Sequence, residues 1–130
     1  MTGQQTDRTG APVRIALDET DAISAYTVSL DDGTLAGRAA FVDPPGAGGE
    51  RIFYHTEIAE EFGGRGLAGL LVREALADSI RKDLTVVPVC PLFRNHLDKH
   101  GEDYTAEGGR FRRPRPADLA TVQQATKGAA

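Results

Sequence analysis

Between Leu67 and Lys82 the apolar residues recur at four-residue spacing, in the series Leu67, Leu71, Ala75 and the series Val72, Leu76, Ile80. Arg73, Glu74, Asp78, Arg81 and Lys82 supply the polar remainder. That period predicts a helix of about four turns with one buried stripe. The segments on either side have a different period. Arg51 to Ile58 alternates, which predicts a strand with Ile52, Tyr54, Thr56 and Ile58 on one face and Phe53, His55 and Glu57 on the other. Thr85 to Cys90 is a β-branched run and predicts a buried strand. Two strands joined through a helix must be parallel, so the chain has to build at least part of a sheet by crossover.

Upstream, Tyr26 to Leu30 alternates, Asp31-Asp32-Gly33-Thr34 is turn chemistry, and Leu35 to Val42 is again strand-like, which predicts a hairpin. Pro44-Pro45-Gly46-Ala47-Gly48-Gly49 predicts a flexible second connection. Downstream, Leu92 to His100 predicts a closing helix. Antiparallel strands followed by strand–helix–strand–helix imply an α+β domain with a mixed sheet. The expected boundaries are a disordered polar lead-in over residues 1–11, a globular domain over 12–104, and an Arg/Pro-rich tail over 105–130. That tail carries Arg110, Arg112, Arg113 and Arg115, expected to be solvated, and a possible short helix from Pro116 to Ala125.

With 130 residues, of which 40% are apolar, the chain is long enough for one modest core. No apolar run approaches a membrane span and the N-terminus lacks a signal-peptide stretch, so a cytoplasmic location and no membrane partner are expected. The single cysteine, Cys90, makes neither an internal disulfide nor a zinc site. A formal charge of −4 argues against nucleic acid as a partner.

The strongest chemical signal is Gly63-Gly64-Arg65-Gly66-Leu67-Ala68, between the alternating strand and the long helix. Glycines let backbone approach a ligand, and the first N–H groups of the helix that begins there lack internal partners and carry partial positive charge. Such a place suits a phosphate or diphosphate. A plain glycine turn is one explanation. A dinucleotide fingerprint is another, since Gly64, Gly66 and Gly69 fit G-x-G-x-x-G. Its context is wrong, because six residues (59–64) separate the glycines from the strand and the next strand ends in Cys90-Pro91 without an acid. A coenzyme A diphosphate cradle fits.

The segment from Ile58 to Ala68 resembles the acetyl-CoA-binding motif of the GNAT (general-control-related N-acetyltransferase) superfamily, Gln/Arg-x-x-Gly-x-Gly/Ala at the start of a helix. It matches at Gly66 and Ala68 and departs at Gly63. With Phe53 to Ile58, Val86 to Pro91 and Lys99-His100, the chain is similar to a short, stand-alone branch of that superfamily over about residues 24–104. The resemblance implies a GNAT-like, mainly antiparallel sheet whose strands splay beside Pro88. It implies acetyl-CoA as cofactor, held by Ile58, Gly63, Gly64, Arg65, Gly66, Leu67 and Ala68, and an amine as acetyl acceptor.

Acetyl transfer to an amine needs a proton acceptor, a donor for the tetrahedral oxyanion and a route for thiolate departure. His55 and Glu57 share a strand face and either could take the proton, directly or through water; Cys90 is a lining residue or a nucleophile. The tyrosine acid common in the family is absent from Leu92 to His100, where His96 is a weak substitute. The alternative function is a coenzyme A-binding module that senses or recruits without catalysis.

Overall fold

The computed structural model describes residues 2–19, 23–44, 46 and 48–127; Pro45 and Ala47 of the expected flexible connection lie outside them. Seven strands form one sheet in which spatial order equals chain order. They are β1 (Thr2–Thr6), β2 (Pro12–Asp18), β3 (Ser24–Leu30), β4 (Leu35–Val42), β5 (Glu50–Ile58), β6 (Thr85–Pro88) and β7 (Arg110–Phe111). The first five pair antiparallel, while β5–β6 and β6–β7 are parallel. Helix α1 (Leu67–Arg81) makes the first crossover, α2 (Pro91–Ala106) the second, and α3 (Pro116–Lys127) closes the described chain. This is the α+β fold with a mixed sheet that the periodicities predict, and its mainly antiparallel pairing is the one the resemblance implies.

The predicted hairpin forms because Gly33 adopts φ 89° and Asp32 Oδ1 accepts the Thr34 N–H at 2.9 Å. The predicted helical stripe is the buried one, with Leu67, Leu71, Val72, Ala75 and Leu76 all within the core. They pack on Val13, Ile15, Val28 and Phe41 from the sheet, and Phe53 stacks on Phe93 of α2 at 4.3 Å between centroids. Asp78, expected on the polar face, is only 1% exposed. Tyr26 donates its hydroxyl hydrogen to Asp78 Oδ2 at 2.5 Å and accepts from Arg51 at 3.0 Å. Arg51 is itself buried, over the Phe41 ring at 4.0 Å and forked onto Asp43. Lys82 Nζ completes the set, 2.9 Å from Asp78.

The predicted alternation of β5 fails at one point. Ala40 pairs with His55 but Phe41 pairs with Phe53, so Tyr54 is an extra residue in a bulge. Phe53 therefore faces the α1 side with Thr56 and Ile58, across from Phe41, Ala39 and Gly37. Ile52 shares the other face with His55 and Glu57, across from Val42, Ala40 and Arg38.

Both ends differ from expectation. β1 lies in the segment predicted to be a disordered lead-in, paired along its length with β2. Polar residues suffice there because an edge strand is held by ladder bonds more than by burial. The segment predicted as a solvated tail is tied to the sheet. Arg112 donates its N–H to the Val86 carbonyl at 3.0 Å, and its guanidinium bridges Glu50 and Asp118 with four bonds of 2.8–2.9 Å. A planar fork between two carboxylates is a geometry that composition does not reveal. α3 then packs on β4 and β5 and covers the face that bears Ala40, Val42 and Ile52.

Ending the chain after residue 107 strips that cover and the Arg112 bridge. We expect a loss of about 3 kcal/mol, or roughly 10 °C in melting temperature, measured by thermal unfolding; an unchanged midpoint would place the domain boundary near residue 104. A second expectation concerns acid. Burial alone would push the Asp78 carboxyl up, but the Tyr26 and Lys82 donors outweigh it and hold its pKa below the ordinary 3.8. A depressed pKa stabilises above the unfolded value and is lost as pH falls through the folded one. Asp78→Asn should therefore melt lower at neutral pH and lose less on going below about pH 4.

Candidate functional site

The β5–β6 ladder runs Glu50–Thr85, Arg51–Val86, Ile52–Val87 and Phe53–Pro88, and then stops. Proline has no N–H to continue it. Val89 folds its N–H back onto the Val87 carbonyl at 3.1 Å, Cys90 donates a last bond to the Phe53 carbonyl at 2.8 Å, and Pro91 opens α2. From Tyr54 to Ile58 the edge of β5 facing β6 has no partner strand among the described residues, while its other edge still pairs with β4. The result is a splay between two parallel strands.

At the far end of that open edge lies the glycine loop. Ile58 pairs with Gly37, where a Cβ would collide with the Ile58 side chain and the Glu57 carbonyl, so this strand pair approaches closely only because residue 37 is glycine. A 3₁₀ turn (Glu60–Phe62) follows, then Gly63, and then Gly64 and Gly66 at φ 81° and 76°. A Cβ on Gly64 would meet nothing within 4 Å, so the loop is open on that side. α1 starts at Leu67 with no side-chain cap and no acidic residue in its first turn. Its leading N–H groups have no intrahelical acceptor and stand at the positive end of the helix dipole. Arg65 pairs with Asp7 at 3.8 Å and stands 5.4 Å over the Phe62 ring.

The predicted site residues do not all meet. Gly63, Gly64, Arg65, Gly66, Leu67 and Ala68 form the loop and helix start, with Ile58 at the end of the strand that leads into it. His55 and Glu57 are adjacent, Nε2 to Oε2 at 3.6 Å, both side chains about three-fifths exposed, on the face away from α1. Cys90 is buried on the other face, where its Sγ lies 3.4 Å from Thr56 Oγ1. The bulge at Tyr54 causes this division. It turns Thr56, and neither His55 nor Glu57, toward the cysteine. His96 lines a groove of about 390 Å³ between α1 and α2 with Arg73 and His100. Burial, then His100 and Arg73, keeps its pKa below the ordinary 6.5.

Three residues were missed from sequence. Thr56 is the polar neighbour of Cys90, and only the bulge reveals it. Tyr54 sits just past the last β5–β6 pair. The other two tyrosine hydroxyls are engaged, Tyr26 with Asp78 and Arg51, and Tyr104 as donor to the Leu76 carbonyl at 3.0 Å. Burial raises the pKa of Tyr54, so it keeps its proton at neutral pH. Asp7 is the third, and Asp7-Arg8-Thr9-Gly10 carries a legible turn signature in a segment expected to be disordered.

Among the described residues no three or more His, Cys, Asp and Glu side chains gather as a metal site, and no helix is long and apolar enough to cross a membrane. Residues 25–107 match the family described as GCN5-related N-acetyl-transferase. Among solved structures, the chain is similar to a ribosomal-protein-alanine N-acetyltransferase from Brucella melitensis biovar Abortus 2308, at 17% identity and a TM-score of 0.34. That likeness covers 84% of this chain and 59% of the other. No curated protein matches.

The glycines separate by backbone angle. Gly63 has φ −64°, which any residue adopts, whereas Gly66 at 76° is strained for a β-branched side chain. Without ligand, Gly66→Val should cost about 1–3 kcal/mol and Gly63→Gln clearly less, read as melting temperatures. Equal losses would show that the loop conformation is not what holds Gly66.

Proposed function

Because the chain belongs to the GCN5-related N-acetyl-transferase family, we propose that it moves the acetyl group of acetyl-CoA directly to an amine, either a small amine or a protein lysine or N-terminus. The observation that carries this is the open glycine loop at an uncapped helix start, placed at the end of an unpaired strand edge. The residues fit the cofactor. Gly64 to Ala68 offer N–H groups and an unobstructed Gly64 to a diphosphate, while the Gly63 N–H closes the 3₁₀ turn on the Glu60 carbonyl, and Ile58 offers a free backbone edge to the pantetheine amides. Bound there, acetyl-CoA supplies an activated acyl thioester.

The rest of the chemistry falls to the chain. His55 and Glu57 are exposed on one face of the sheet and the glycine loop leads into α1 on the other, so in this reading the amine approaches from the His55 and Glu57 side and the cofactor from the α1 side. His55 or Glu57 takes the amine proton, directly or through water. Tyr54 is the donor for the departing thiolate, in place of the tyrosine that Leu92 to His100 lacks. Cys90 lines the gap with Thr56. Its single free thiol suits a reducing cytoplasm. The domain comprises the sheet and helices from β1 to α3.

A second reading, coenzyme A binding without transfer, is favoured by one observation, that the only tyrosine of α2 has its hydroxyl on Leu76. One assay separates the two. Coenzyme A thiol release is followed with a panel of amines, where acceptor-dependent release is expected. Tight coenzyme A binding with no release above background for any amine would select the binding module. In the same assay Cys90→Ala should keep most of the turnover, and Tyr54→Phe should lose about 100-fold. An acetyl adduct on Cys90 that passes to added amine would overturn direct transfer.

A further inference from the structure

The matched family region begins at residue 25, yet the glycine loop has a neighbour from outside it, the turn that joins β1 to β2. Asp7 Oδ1 gathers the Thr9 N–H at 2.8 Å, the Thr9 hydroxyl at 2.6 Å and the Ala11 N–H at 3.0 Å. The carboxylate is fully buried and fixes the turn. The turn is bonded to the loop, since Arg8 donates its N–H to the Arg65 carbonyl at 2.8 Å and Asp7 pairs with the Arg65 guanidinium. The Arg8 side chain lies along Gly66, its guanidinium nitrogens 3.6 Å from where a Cβ on that glycine would stand.

Arg8 thus sets a guanidinium beside the positive end of a helix, and Arg65 sets a second one in the same loop, against Asp7. That arrangement is electrostatically unfavourable unless an anion fills it. Asp7 answers one of the two cations, and its free oxygen is turned toward Arg65. Among the described residues no carboxylate pairs with Arg8, and none stands in the first turn of α1. The balance is therefore short of negative charge beside Gly66, the residue that precedes the helix. We propose that the turn at Asp7–Ala11 is the outer wall of the cofactor's diphosphate site, with Arg8 as a direct ligand of the diphosphate and Asp7 as the residue that positions Arg65. The proposal rests on the coenzyme A reading above, and extends the site to a segment outside the matched region.

The test is calorimetric binding to the full chain, with coenzyme A, 3′-dephospho-coenzyme A and phosphate-free pantetheine as probes. Arg8→Gln should weaken both nucleotides by the same factor, about tenfold, and leave pantetheine unaffected. Arg8→Lys, which keeps the charge but not the fork, should fall between. Ligand-free melting temperatures of both variants, expected to match the parent, confirm the fold, and Arg8→Lys serves if the glutamine variant does not fold. Parent-like affinity of Arg8→Gln for both nucleotides would overturn the proposal. So would a loss confined to coenzyme A, which would move Arg8 to the 3′-phosphate. A parent chain that binds none of the three probes defeats the coenzyme A reading itself, before any variant is compared.

Discussion

The parallel ladder between β5 and β6 cannot continue past Pro88, and the site depends on that interruption. A proline in a strand removes one donor, and the chain answers by turning through Val89 and giving its next N–H, that of Cys90, to Phe53. This last rung fixes where α2 starts and how far β5 runs on alone. The bulge at Tyr54 falls immediately beyond it. The interruption sets the unpaired backbone edge, and the bulge beside it sets a buried thiol against Thr56 with two exposed titratable side chains on the opposite face.

A sheet with such a gap must be held rigidly elsewhere, and the polar chain from the exposed Asp43 through the buried Arg51 and Tyr26 to Asp78 does this. Its members come from the β4–β5 connection, β5, β3 and α1. Hydrophobic packing alone would let a helix slide along a sheet at little cost, since apolar surface uncovered at one end is covered again at the other. A tyrosine hydroxyl held between a guanidinium and a carboxylate has one position. That pins α1 along its axis, and so sets where its N-terminus and the glycine loop lie relative to the splayed strands. The Arg112 bridge between Glu50 and Asp118 does the same for the opposite face.

The parts of the fold legible in the sequence were those with a period. The helical stripe from Leu67 and the hairpin at Asp32-Gly33 announce themselves locally, and the parallel pair follows from connectivity. The glycine loop was legible for a related reason, since positive φ angles leave a compositional mark. What escaped depends on partners distant in the chain. Asp78 lies seven residues after Leu71 and thus on the buried stripe, but nothing local says that Tyr26 waits opposite it. The bulge in β5 moved Phe53 into the core and separated His55 from Cys90, and an extra residue in a strand leaves no signature when the flanking residues are all good strand formers. The polar composition of β1 and of the Arg112 segment reads as solvation, whereas ladder bonds and a two-carboxylate fork hold them.

Spatial order equal to chain order has a bearing on how the molecule comes into being. Each strand from β2 to β7 is laid beside one already made, so during synthesis the sheet can grow outward from its first edge without waiting for distant chain. Two joins break that progression. The turn carrying Arg8 is made early but finds Arg65 only once α1 has emerged. Helix α3 is made after the whole sheet and must travel back across it to reach β4 and β5. Until it does, the face bearing Ala40 and Ile52 stays wet. The nascent chain would thus hold a nearly complete glycine loop before it holds a closed core.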